Sequence, residues 1–218
     1  MTDNLDLKEL EKKAWRSTFQ DGLWDIYFGL LIFGMGIYTV GQLFGQEDSL
    51  GAILILMIWD FTSFFLFFLA KKRITMPRMG FVAFGKARKI KKLKLTVFLF
   101  AMVAINVIFL LLPLSGLNIR LNAIATMLII GTLFITLPIC IMAYFLEFER
   151  LYLIAIMGGL GLPLSYLLRP IVGSPLNSMI IFCTLGGIII TWGILIFIKF
   201  LKKYPLPKED QKLEVRNG

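Results

Sequence analysis

Apolar residues along this chain come in long blocks rather than in alternation, and the polar residues gather between the blocks. Six blocks stand out, at about 23–44, 50–70, 95–115, 122–146, 151–168 and 177–199. A run of eighteen or more apolar residues is long enough to cross a hydrocarbon core of about 30 Å as a helix. The pattern therefore predicts an all-α, polytopic membrane protein, a six-helix transmembrane bundle. Pro113 and Pro163 lie near the ends of the third and fifth blocks and limit them. The organisation that follows is an amphipathic N-terminal helix over 1–21, a transmembrane domain over 22–199 with a basic loop at 71–94, and a polar, proline-punctuated tail over 200–218. Six spans leave no segment large enough for a soluble catalytic domain.

Within the blocks, glycines recur at helical intervals. Gly22, Gly29 and Gly36 are seven apart, Gly34 and Gly41 repeat that interval, and Gly41 with Gly45 forms a GxxxG pair. Such positions let a neighbouring backbone approach closely. Packing inside the bundle is favoured over homo-oligomerisation, which stays as the alternative. Asp25 falls beside this glycine face, one turn inside the span, where it either hydrogen-bonds near a helix N-terminus or reaches the interface.

Asp60 is the costliest residue. It sits in the middle of GAILILMIWDFTSFFLFFLA, residues 51–70, and a carboxylate at that depth costs about 2.5–3.5 kcal/mol on insertion scales. When the spans are aligned by depth, Asn106, Thr132, Thr136, Thr184 and Thr191 fall in the same slab, together with Gly158, Gly159, Gly161, Gly186 and Gly187. The stretch from Gly158 to Pro163 is expected to be a broken helix, a device that transporters use at midplane sites. Asp60, Asn106, Thr132, Thr136, Thr191, Gly158, Gly159 and Gly161 are thus the candidate ligand- or proton-binding residues. No Lys or Arg lies at this depth, so Asp60 is either protonated and bonded to a polar neighbour or ionised beside water or a cation. Trp59 is expected against lipid or a neighbouring helix.

Two hairpins resemble each other, with Leu112-Pro113-Leu114-Ser115 matching Leu162-Pro163-Leu164-Ser165. The helices after them also align, with Leu121-Asn122, Gly131 and Thr136 against Leu176-Asn177, Gly186 and Thr191. A tandem two-helix repeat and a chance match of apolar alphabets both account for this.

Composition agrees with the blocks: 58% of residues are hydrophobic, 17% are charged, and the mean hydropathy is +0.81. The formal net charge is +9. Of the 23 basic residues, all but Arg120 and Arg169 fall in 1–22, 71–94, at Arg150 or in 199–218. The positive-inside rule then puts both termini in the cytoplasm of a prokaryotic cell membrane. The N-terminus lacks a cleavage signature, so the first span is expected to remain as a signal anchor. The loop 71–94 contains no acid. Its first half is expected to form a short extended turn or hairpin, and its second half to extend the third helix. Lys86, Arg88, Lys89, Lys91 and Lys92 make it a candidate contact for anionic lipids or a cytosolic partner, with topogenic charge as the plainer account. No nucleic-acid partner is needed.

The chain contains no His, and its two cysteines, Cys140 and Cys183, lie in different spans at opposite depths. A zinc site, a disulfide and a nucleophile–base pair all lack their residues. No enzyme activity and no cofactor are expected. Glu147 and Glu149 are expected to cap a tight turn with Arg150.

Asp21-Gly22-Leu23-Trp24-Asp25-Ile26, together with Pro77-Arg78-x-Gly80-x-Val82, resembles segments of an uncharacterised family of bacterial integral membrane proteins, a resemblance that implies no activity. Size and span number are similar to those of the substrate-binding subunits of vitamin-uptake transporters. The functional expectation is a small membrane transport or ligand-binding protein for a small molecule or ion, with a midplane site around Asp60. Two alternatives stand beside it: a regulatory protein acting through the 71–94 loop, and a substrate-binding subunit of a multicomponent uptake transporter.

Overall fold

A computed structural model describes residues 19–43, 50–79, 86–111 and 122–205, and among them every regular element is helical. Helix α1 covers Leu23–Leu43. Helix α2 covers Leu50–Ala70 and is prolonged by a π-helical turn, Lys71–Thr75, and a last turn, Met76–Met79. Helix α3 is Lys86–Leu111. Helix α4 is one rod built of Ala123–Gly131, a π turn at Thr132–Thr136, and Leu137–Leu146. Helices α5, Arg150–Val172, and α6, Leu176–Lys203, follow.

Five of these helices are long and apolar enough to cross a membrane; α3 has a shorter apolar stretch, Leu93–Ile105. The expected third span at 95–115 runs past the described residues, and the basic KARKIKKLK segment forms the start of the same helix, as expected. The outward faces are apolar: Phe61 is 71% exposed, Phe100 73% and Ile171 80%. Such faces suit hydrocarbon rather than water.

The most extensive contact among the described helices is an antiparallel seam between α1 and α6. A Cβ on Gly22 would lie 2.5 Å from the Gly193 carbonyl oxygen, on Gly29 2.8 Å from Ile190 Cγ1, and on Gly36 2.6 Å from Cys183 Sγ. The approach is reciprocal: Gly193 faces the Ile26 backbone and Gly186 faces that of Phe33. The other glycine line meets α2, with Gly41 against Ala52 and Gly34 against Trp59. The seven-residue glycine spacing thus serves packing within the chain. Gly22 also has φ +78°, a conformation that glycine adopts without strain where the chain turns into α1.

Both π turns precede a proline in a Thr-x-Pro sequence, Thr75-Met76-Pro77 and Thr136-Leu137-Pro138. Proline cannot donate to the carbonyl four residues back, and the wider turn accommodates the gap, with the Met76 and Leu137 amides donating to the Lys71 and Thr132 carbonyls. The part of the expected extended turn or hairpin that is described, as far as Met79, is therefore helical, and residues 80–85 lie outside the described residues. The expected break at Gly158–Pro163 is also absent, and α5 runs through it. The Gly159 carbonyl, which Pro163 leaves without its usual donor, points at Gly131 of α4, and neighbouring helices enclose the segment. Close packing holds the helix together where isolated propensity would not.

The proposed repeat partners do different work. Asn122 caps its own helix through the Ile124 amide, whereas buried Asn177 donates to the Ser165 carbonyl at 2.7 Å. Gly131 meets α5, and Gly186 meets α1. The predicted surface helix before Phe19, the first hairpin motif at 112–115 and the tail beyond 205 lie outside the described residues.

Candidate functional site at the basic end of the bundle

The start of α1, the end of α2, the start of α5 and the end of α6 meet at one end of the molecule, and three polar ties join them. Asp21 is fully buried. Its Oδ1 accepts from the Leu23 amide at 3.3 Å, and its Oδ2 from Lys71 Nζ at 2.6 Å and from Thr75 Oγ1 at 2.8 Å. The π turn of α2 carries both Lys71 and Thr75, one turn apart, so the same irregularity that accommodates Pro77 presents two donors to one carboxylate. At the far side of that turn, Arg78 Nη1 donates to the Tyr204 carbonyl at 3.0 Å and closes the C-terminus of α6.

The third tie is Asp25, 1% exposed, whose Oδ2 lies 3.0 Å from Arg150 Nη1. The pair is ionic without good hydrogen-bond geometry. Arg150 Nη2 donates to the Phe19 carbonyl at 2.8 Å, and the guanidinium lies 5.1 Å from the Phe148 ring centroid. Glu147, with φ +56°, ends α4 and turns the chain toward Arg150. The expected tight turn is thus present, and Arg150 reaches from it to Asp25 of α1 and to the Phe19 carbonyl.

Two cavities adjoin at this tie. One, about 290 Å³, is a half-open cleft between α5 and α6, lined by Leu153, Ile154, Met157, Ile188, Ile189 and Trp192, with Asp25, Glu149 and Arg150 at one end. The other, about 210 Å³, is a polar recess formed by Phe19, Gln20 and the Glu147–Arg150 turn. Glu149 and Arg150 line both. A shallower groove on α6, including Cys183, Thr184 and Thr191, shares Ile188 and Trp192 with the cleft.

Among the described residues, the midplane candidates lie apart from one another. Asp60 is partly buried beside α1, where a Cβ on Gly34 would lie 3.3 Å from its Oδ1, and that oxygen is enclosed without a hydrogen-bond partner. Trp59 faces the neighbouring helix, donating to the Leu30 carbonyl at 2.9 Å and stacking on Phe33. Asn106 is on α3, which packs against the Leu137–Leu146 part of α4, and its side chain is outside the described residues. Thr132 and Thr191 are exposed, with Thr191 Oγ1 donating to its own helix at the Gly187 carbonyl. Thr136 ties α4 to the Ala155 carbonyl of α5. Gly158 faces Ile32 and Ile135, Gly159 faces Thr136, and Gly161 lies under the Phe182 ring, so all three serve helix packing. Equal depth did not bring Asp60, Thr132, Thr136 and Thr191 together because they occupy different faces of their helices.

Of the basic-loop candidates, Lys86, Arg88, Lys89, Lys91 and Lys92 lie on the first turns of α3, and their side chains are outside the described residues. Among the described residues, no group of three Cys, Asp or Glu side chains is placed to hold a metal ion. Cys140 and Cys183 are free thiols. The residues that sequence reading undervalued are Asp21, Lys71 and Arg150. Their signal was the DGxxD start of α1, which places two acids where a first turn enters the bundle. No family model, curated protein or solved structure matches the chain.

Proposed function

We propose that this chain is a small integral protein of a prokaryotic cell membrane that binds or transports a small ligand, with α3 as a sixth span and both termini in the cytoplasm. The observation that carries the reading is the cleft between α5 and α6, apolar along its length and ending at the Asp25–Arg150 pair. Ligand sites in helix bundles are concave, mostly apolar and provided with a few converging polar groups. This moves the centre of the site from Asp60 toward the basic end. Asp60 remains the candidate proton-binding group, because one of its oxygens is enclosed and unpartnered.

The test is mass spectrometry of small molecules that copurify with the full chain and with Leu153→Trp. Leu153 is 63% exposed at the cleft mouth, so a larger ring fills the cleft without entering the core. A compound retained by the wild type and lost from Leu153→Trp is the expected result. Equal retention by both proteins removes the cleft as the site. The regulatory alternative, acting through Lys86, Arg88, Lys89, Lys91 and Lys92, predicts a partner or anionic-lipid contact that is insensitive to Leu153→Trp and lost when those residues are neutralised.

A further inference from the structure

The cleft between α5 and α6 has apolar walls and is polar at one end only. It follows α5 from Arg150 to Met157, about 10 Å at 1.5 Å per residue. Leu153, Ile188 and Trp192 are 63%, 52% and 63% exposed, so the cleft opens on the outward helix faces that suit hydrocarbon. Ile154 and Ile189 are buried and form its inner wall. A ligand that fits these walls has a slim apolar body and enters from the bilayer.

The polar end selects the head group. Asp25 lies there, 1% exposed, and among the described residues its Oδ2 receives no hydrogen bond, although Arg150 Nη1 is 3.0 Å away. An enclosed carboxylate oxygen without a donor costs free energy that an incoming donor recovers. The Arg150 guanidinium has five N–H donors and is about one-third exposed, which leaves donors open to an acceptor besides the Phe19 carbonyl. The pair is therefore matched by one group that donates to Asp25 and accepts from Arg150. An ammonium only donates, and beside Asp25 Oδ2 it would face the guanidinium at close range. A carboxylate only accepts and would face Asp25. Like charges placed so close at a desolvated contact are costly. A hydroxyl both donates and accepts, and carries no charge. Glu149 also lines this end, but it is exposed, where solvent and salt screen its charge.

We propose that the cleft binds a neutral lipophilic alcohol, its chain between α5 and α6 and its hydroxyl donating to Asp25 Oδ2 while accepting from Arg150. This deepens the ligand-binding reading above and rests on it. Two sources supply that chemistry, a single-chain alcohol and the free hydroxyl of a diacylglycerol in the bilayer.

Photolabelling of the full chain in liposomes tests this with three diazirine probes that share one eight-carbon chain and end in a hydroxyl, an ammonium or a carboxylate. Peptide mass spectrometry locates the adducts, and the labelling compared is the part displaced by unlabelled competitor at equal membrane-bound probe. The expected result is labelling of the cleft residues of α5 and α6 by the alcohol about tenfold above either charged probe, the scale of one hydrogen bond to a charged group. Displacement by both octan-1-ol and dioctanoylglycerol identifies a glyceride hydroxyl as the source, and displacement by octan-1-ol alone a single-chain alcohol. Arg150→Gln leaves the carboxylate alone and should turn the preference to the ammonium probe. Asp25→Asn leaves the guanidinium alone and should turn it to the carboxylate probe, which keeps the test intact if Arg150→Gln does not fold. Leu153→Trp should abolish labelling in the cleft. Equal labelling by the three probes, a preference for a charged probe in the wild type, or a preference for the alcohol that survives in the folded charge variants overturns the proposal. If no probe labels the cleft while a different copurifying compound is lost from Leu153→Trp, the alcohol is wrong and the cleft reading stands. If nothing labels the cleft and nothing copurifies, both fail.

Discussion

At Arg150 one side chain joins three parts of the chain: it pairs with Asp25 of α1, holds the Phe19 carbonyl before α1, and covers Phe148 in the preceding turn. Removing one partner of a buried ion pair leaves the other charge uncompensated, at a cost of about 3–5 kcal/mol. Because the Arg150 side chain is 32% exposed, the cost here is reduced to about 2–3 kcal/mol. Arg150→Gln should therefore lower the thermal unfolding temperature in detergent, and adding Asp25→Asn should restore most of it. A double variant less stable than Arg150→Gln would show that Asp25 has another role. Asp60 calls for a different measurement. Its enclosed oxygen has no partner to lose, so Asp60→Asn should keep the fold. In liposomes it should abolish the pH dependence of any uptake, and uptake that stays pH-dependent excludes Asp60 as the proton carrier.

Among the elements, α1 and α6 form the pair on which the others are arranged. Their glycines let the two backbones come together, and α2 takes the adjacent face of α1 through Gly34 and Gly41. In an apolar surround there is little hydrophobic gain from pairing helices, so close van der Waals packing carries the association. Gly29→Leu should force α1 and α6 apart and destabilise the bundle by at least the 1–3 kcal/mol typical of overpacking. A thermal shift measurement checks this, and an unchanged unfolding temperature would contradict the seam. These glycine spacings were legible in the sequence because a seven-residue interval keeps side chains on one helix face. The Thr-x-Pro π turns were not read there. Proline marks a missing amide, but whether the helix stops, kinks or widens depends on the packing around it, as the uninterrupted passage of α5 through Pro163 shows.

For the whole molecule, Lys71, Arg78 and Arg150 and the three ties that they make lie at the same end of the helices. With Cys140 and Cys183 replaced, single cysteines at Lys72, Lys94 and Lys202 should react with a membrane-impermeant maleimide only after cells are opened. Cysteines at Asn122 and Ser174 should react in intact cells. Labelling of Lys94→Cys and Asn122→Cys from the same side would show that α3 does not cross.

Apolar block lengths and glycine intervals, both local properties of the chain, determined the helices, their approximate ends and the faces that meet. The site was a different matter. Equal depth grouped Asp60 with Thr132 and Thr136, but depth is one coordinate of three, and rotation of each helix about its axis sends these side chains in separate directions. Lys71 lies fifty residues from Asp21, and Arg150 still farther from Asp25, with no local pattern relating the partners. Only the tertiary structure decided those pairings, because each depends on which helix ends the packed bundle brings within a few ångströms.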